Sequence, residues 1–203
     1  MCKPASFRVL PDRVLFSRVG DSHEQILEEH LIRVTDREDW DRIGVPVELS
    51  PPEMNFELPF ERWVFALDDT INASHLPGWW KAAAAERQCR EALPEWWSYH
   101  HVEGGEHTCG AGRTLIVSGT GCTLTVQGGA CYAYGYGHTF TLTGGECYAN
   151  GGGNTITLQG GECRAYGGGN TIIVQGGWCY ADRNRNTIID HTRHYIHTAE
   201  KET

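Results

Sequence analysis

From Thr123 to Ile189, apolar and polar residues alternate in short bursts that recur every 16 positions. In NTITLQG, Ile156 and Leu158 alternate with Thr155, Thr157 and Gln159. In GECRAYGG, Cys163 and Ala165 alternate with Glu162, Arg164 and Tyr166. Period-two alternation over so short a span, bounded by Gly, predicts a strand with one buried face. Two strands and two Gly corners per 16 residues predict one coil of a flattened, two-sheet β-solenoid. Each coil then pairs its backbone with the next, about 4.8 Å away. Parity assigns the interior. Leu124/Val126, Phe140/Leu142, Ile156/Leu158 and Ile172/Val174 form one layer. Cys131, Cys147, Cys163 and Cys179, with the neighbouring alanines, form the other, where small side chains let thin sheets approach. His138, Asn154, Asn170 and Asn186 keep the same step of 16.

The first half carries no repeat and reads as a small α+β head that caps the solenoid's first coil. SFRVL, RVLFSRV, RVTDREDW, GVPVEL and RWVFALDD predict extended segments. GDSHEQILEEHLI predicts a helix capped by Ser22, with Gln25 completing a capping box and Ile26, Leu27, His30 and Leu31 buried. That capping accounts for the GDSH motif without a serine–histidine hydrolase. LPGWWKAAAAERQCREALPEWW predicts two helices, opened by Pro77 and Pro94. Its Trp79/Trp80 and Trp96/Trp97 pairs serve packing, with one member of each turned toward solvent. The boundaries are 1–107 for the head, 108–193 for the solenoid and 194–203 for a tail.

Charge sharpens this division. Residues 1–107 carry 11 Lys/Arg against 20 Asp/Glu, a net −9, whereas residues 108–203 carry six of each. Acidity concentrated in the head argues against direct nucleic-acid binding through a basic patch. No apolar stretch follows MCKPASFRVLPDR, so neither a signal peptide nor a membrane span is expected, and a cytoplasmic protein is. Eight cysteines are present, four of them repeat positions, and they read as reduced thiols packed as small apolar groups. No CxxC pair, triad, P-loop or dinucleotide fingerprint occurs, so no cofactor, metal site or enzymatic activity is expected. His191, His194 and His197 recur every three residues, but without an acidic or thiol partner in the motif.

The two outer faces differ. On one, Thr123/Thr125, Thr139/Thr141 and Thr155/Thr157 form a Thr-x-Thr array that Ile173 interrupts. This array is similar to the flat threonine faces of insect antifreeze solenoids, and that resemblance implies ice binding. On the other, Tyr132, Tyr148, Arg164 and Tyr180 form one row, Tyr134, Asn150, Tyr166 and Asp182 the next, and Ala130, Glu146, Glu162 and Trp178 a third. Tyr, Arg and Trp are the residues of protein-contact surfaces. The half-repeat TITLQGG/CRAYGGG resembles the octad A-T-V-x-A-Y-G-N solenoids of small phage and actinobacterial proteins, in which a compact head precedes the array. That resemblance implies a non-catalytic binder that inhibits a host or anti-phage defence protein in the host cytoplasm. The expected site combines Tyr132, Tyr134, Tyr148, Arg164, Tyr166, Trp178 and Tyr180 with Glu38, Asp39 and Asp41 of the acidic head. Self-association through the solenoid end or the aromatic face is compatible with it. The alternatives are ice binding by the Thr-x-Thr face and a carbohydrate-active solenoid enzyme or lectin, in which Glu146 and Glu162 stack on adjacent coils.

Overall fold

The computed structural model describes residues 5–34, 39–181 and 185–192, with the backbone of 196–197. The chain divides into two compact units, Met1–His100 and His101–Thr203. Glu38, Asp182, His194 and the side chain of His197 lie outside the described residues.

In the first unit, strands β1 (Ser6–Val9), β2 (Val14–Leu15), β3 (Val45–Ser50) and β4 (Val64–Leu67) form an antiparallel sheet in the order β2-β1-β3-β4. Helix α1 (His23–Glu29) starts where the sequence predicts, with the Ser22–Gln25 capping box in place. Ile26 and Leu27 are buried. Leu31 is not: it sits 90% exposed in the left-handed region, at φ 55°, because the helix has ended at His30 and the chain has turned outward. Trp40 opens the short helix α2 (Trp40–Ile43) and does not continue an extended segment.

A single helix, α3 (Ala82–His100), replaces the two expected from Pro77 and Pro94. Pro94 lies inside it, on the exposed side. An interior proline costs roughly 3 kcal/mol. Burial of Ala85, Cys89, Leu93, Trp96 and His100 along one continuous face offsets that cost and carries the helix through. Pro77 instead opens a turn closed by the Trp80 N–H, so Trp79 and Trp80 precede the helix. Trp63 and Trp96 are the largest fully buried side chains, and Phe56, Phe60 and Trp97 meet Trp63 edge-on at 5.4–6.0 Å.

The second unit is the solenoid. One parallel sheet stacks β6 (Glu106–Cys109), β8 (Thr123–Val126), β10 (Thr139–Leu142), β12 (Thr155–Leu158), β14 (Thr171–Val174) and β16 (Thr187–Asp190). The other stacks β5 (His101–Glu103), β7 (Thr114–Ser118), β9 (Ala130–Ala133), β11 (Glu146–Ala149), β13 (Glu162–Ala165), β15 (Trp178–Ala181) and β17 (Ile196–His197). Register is strict: Cys131, Cys147, Cys163 and Cys179 face one another in sequence, as do Leu124, Phe140, Ile156 and Ile172. These residues form the buried core that alternation predicts. All seven described cysteines are free, and burial pushes the Cys109 thiol up to about 12, which removes the thiolate at neutral pH.

Two devices fix the corners. Gly145, Gly161 and Gly177 adopt φ of 76–79°, and a Cβ on any of them would fall 2.4–2.5 Å from a carbonyl oxygen of the preceding coil. Only glycine satisfies both conditions. At the opposite corner runs a buried amide ladder. Asn154 accepts from the His138 N–H and Asn170 from the Asn154 N–H, each at 2.9 Å, while the Asn154 side-chain amide donates to the Gly151 carbonyl. His138 begins this ladder as an imitation asparagine. Its Nδ1 accepts from the Cys122 N–H at 3.2 Å and its Nε2 donates to the Tyr134 carbonyl at 3.1 Å, which fixes the neutral tautomer with the proton on Nε2.

Candidate functional site

The sheet that carries the cysteines turns its other face outward, and strand pairing lays out the rows in register. Ile116, Tyr132, Tyr148, Arg164 and Tyr180 form one row, and Glu146, Glu162 and Trp178 another. Accessibility along this face rises steeply toward the C-terminus. Tyr132 and Tyr134 are buried, at 5% each, and Tyr148 is half-buried. Tyr180 is 38%, Tyr166 54% and Trp178 59% exposed. Parity makes the row uniform; in the folded chain Tyr132 lies flat against Tyr148, with ring centroids 4.9 Å apart, and is shut away from solvent.

At the accessible end, Glu162, Arg164, Tyr166, Trp178 and Tyr180 surround a hollow of about 450 Å³. Arg164 Nε donates to Glu162 Oε1 at 2.6 Å, and the guanidinium lies over the Tyr148 ring, 5.4 Å from its centroid. The bond to Glu162 pushes the Arg164 pKa further up, so the cation is permanent. One coil earlier, the Tyr148 hydroxyl donates to Glu146 at 2.8 Å. Burial, with that bond added, pushes Tyr148 up to about 12. The two stacked carboxylates are therefore each held by a residue two positions along their own strand. Tyr166 and Tyr180 approach at 6.2 Å with a tilt of 51°, which leaves a groove between their faces and Trp178.

The acidic residues belong to the first unit. Asp39 is paired with Arg42 at 2.8 Å, and Asp41 accepts from the Trp79 indole. The GDSH motif is structural: Ser22 caps α1, and His23 donates from Nε2 to the Val47 carbonyl at 3.1 Å, with Nδ1 3.0 Å from Asp68. Burial is the main cause that lowers the His23 pKa, and the Arg8 charge adds to it. Arg8, itself buried, donates to the carbonyls of His23, Ile43 and Gly44, tying α1 to the end of α2. These groups line a cavity of about 740 Å³ with Trp40, Asn72 and His75. Nothing in the periodicity of the chain indicated it, because its members come from five separate segments.

The boundary histidines make structural bonds: His100 with the Ser17 carbonyl, 83 residues away in sequence, His101 with the Ser118 hydroxyl and His107 with the Gly104 carbonyl. Among the described residues no group of three or more His, Cys, Asp or Glu could hold a metal ion. Within the same residues, no helix is long and apolar enough to cross a membrane. No family model, no curated protein and no solved structure matches the chain.

Proposed function

We propose that the chain is a non-catalytic protein-binding module that works through the C-terminal part of its aromatic solenoid face. One observation carries this reading: Tyr166, Trp178 and Tyr180, large and exposed, converge with the Glu162–Arg164 pair on one hollow. Trp, Tyr and Arg dominate binding energy where they meet in a recess from which a partner excludes water. The octad resemblance extends the reading to an inhibitor of a host or defence protein. The acidic head, net −9, would accelerate encounter with a basic partner. The test is affinity purification from a host lysate with the wild-type chain and with Trp178→Ala. A partner held by the first and lost by the second is expected; identical captured sets would end the reading. Charge reversal at Asp39 and Asp41 should slow association and flatten its salt dependence.

A second reading has its own support. Thr123, Thr139, Thr155, Thr171 and Thr187 stand in register on the opposite sheet, with Thr125, Thr141 and Thr157 beside them. Such a flat hydroxyl array suits an ordered water surface. Ice crystals faceted by the protein, and left round by Thr141→Tyr, would favour it over protein binding.

A further inference from the structure

The interior of the second unit holds a file of thiols that is independent of the outer face. We infer that this file binds mercuric ion, with each ion in line between the sulfurs of two successive coils. Cys131, Cys147, Cys163 and Cys179 pair in register from β9 to β15. All four are free and buried. Cys147 and Cys163 each have a cysteine neighbour on both sides.

Spacing selects a two-coordinate ion. Neighbouring strands lie about 4.8 Å apart, and side chains in strict register repeat at that step. The bond from a d10 metal ion to a thiolate is about 2.3 Å long, as for zinc. Two such bonds in line span about 4.6 Å, close to one coil. The surroundings leave sulfur as the ligand. Ala133, Ala149, Ala165 and Ala181 stand beside the file, and the rest of the buried cluster around it is Leu, Val, Ile, Phe and two further cysteines. Zinc completes its shell with four ligands, and a straight file brings it two. No group of three or more His, Cys, Asp or Glu suited to a metal occurs among the described residues.

Charge separates the soft ions that remain. Thiolates favour soft metals. Silver(I) or copper(I) between two thiolates leaves a net negative charge in an apolar core, which is costly. Mercury(II) leaves none. Two S–H bonds break, two S–Hg bonds form and two protons pass to water, with no change of oxidation state. The four thiols then hold two ions, Cys131 with Cys147 and Cys163 with Cys179, and each ion staples two coils together. Entry is from the C-terminal end, where Cys179 is the least buried of the four, at 4%, and where a terminal coil opens at the lowest cost.

The experiment titrates the reduced full chain with mercuric chloride in about 1 mM free cysteine, which strips any ion held by a single thiol. Bound mercury is counted after gel filtration, and X-ray absorption at the mercury edge reports its neighbours. Two retained ions per chain are expected, each with two sulfurs at about 2.3 Å. Cys147→Ala should lose one ion and Cys147→Ala/Cys163→Ala both, while Cys89→Ala, in the first unit, should keep both. Silver ion should wash out under the same conditions. Far-UV circular dichroism identifies any variant that has lost the solenoid, and the count and spectrum of the unsubstituted chain then decide alone. A count other than two, a single sulfur neighbour, retention that survives loss of both cysteines, or equal retention of silver would each overturn the inference. None of these outcomes bears on the hollow, whose reading depends on Trp178.

Discussion

The two units solve the same problem, holding a chain in place, by opposite means. The first spends each contact once: Trp63 among Phe56, Phe60, Trp96 and Trp97, Arg8 on three carbonyls, His23 between Val47 and Asp68. The second writes one contact and repeats it, cysteine on cysteine and amide on amide, at a step of 16. In a unique arrangement every residue has its own partner and its own cost. In a periodic one the interior is nearly interchangeable, and individuality moves to the surface. That is why the hollow on the solenoid is made from outward-facing residues of an otherwise repetitive sheet.

The largest expected effect belongs to the unit built from unique contacts. Trp63→Ala should lower stability by about 3–5 kcal/mol, read from the urea midpoint, because the four rings around Trp63 cannot collapse into the space it leaves. A loss under 1 kcal/mol would show that this core is more plastic than its packing implies. Next comes the repeat. Gly161→Ala should cost about 3 kcal/mol, since the substitution combines strain at φ 79° with a Cβ 2.4 Å from the Gly145 carbonyl. If the cost is no greater than for an exposed Gly such as Gly153, where a Cβ meets open space, the corner does not constrain the stack.

Acidification should weaken the first unit through His23, and the second through His101, whose pKa burial also lowers. Burial lowers the His23 pKa in the folded chain, so the unfolded chain binds more protons as pH falls below about 6.5. The stability His23 contributes is therefore present above that value and lost below it. Burial raises the Asp68 pKa, but bonds from Thr70 and from His23 outweigh it and hold the carboxyl below its usual value, so Asp68 extends the loss at more acid pH. The pH dependence of the urea midpoint should flatten between pH 6.5 and 5 in His23→Gln; an unchanged slope would contradict this assignment. The smallest effect is expected at His138→Asn, within about 0.5 kcal/mol, because an amide there can accept from the Cys122 N–H and donate to the carbonyl three residues back, as Asn154 and Asn170 do. His138→Ala, which removes the acceptor of the Cys122 N–H, should cost about 2 kcal/mol and provides the contrast.

How much of this was legible in the chain depends on which unit is considered. A fixed period determines register, because any slip of one residue would turn Ile156 and Leu158 outward and Thr155 and Thr157 inward. The core of the second unit could therefore be read directly, and Ser22 with Gln25 announced α1 through purely local chemistry. Pro94 misled because the force that carries α3 past it is burial on Leu93 and Trp96, which only the folded chain reveals. Leu31 misled in the opposite sense, since helical spacing placed it inward but the helix ends at Glu29, two residues before it. The candidate site was legible in composition and not in extent. Tyr132 and Tyr180 hold equivalent positions in the repeat, yet one is buried and the other exposed. Period assigns a side chain to a face; it does not say what covers that face.

Strict register also makes this chain a ruler graduated in whole coils. Removing residues 144–159 would join Thr143 to Gly160, which replaces Gly144 with another glycine and brings Cys163 opposite Cys131. Every ladder would close over the gap. Copying the same 16 residues would lengthen the stack just as smoothly, carrying the hollow one coil, about 4.8 Å, further from β7. Such a chain can change its length in whole coils while Trp178 and Tyr180 keep their neighbours on the row.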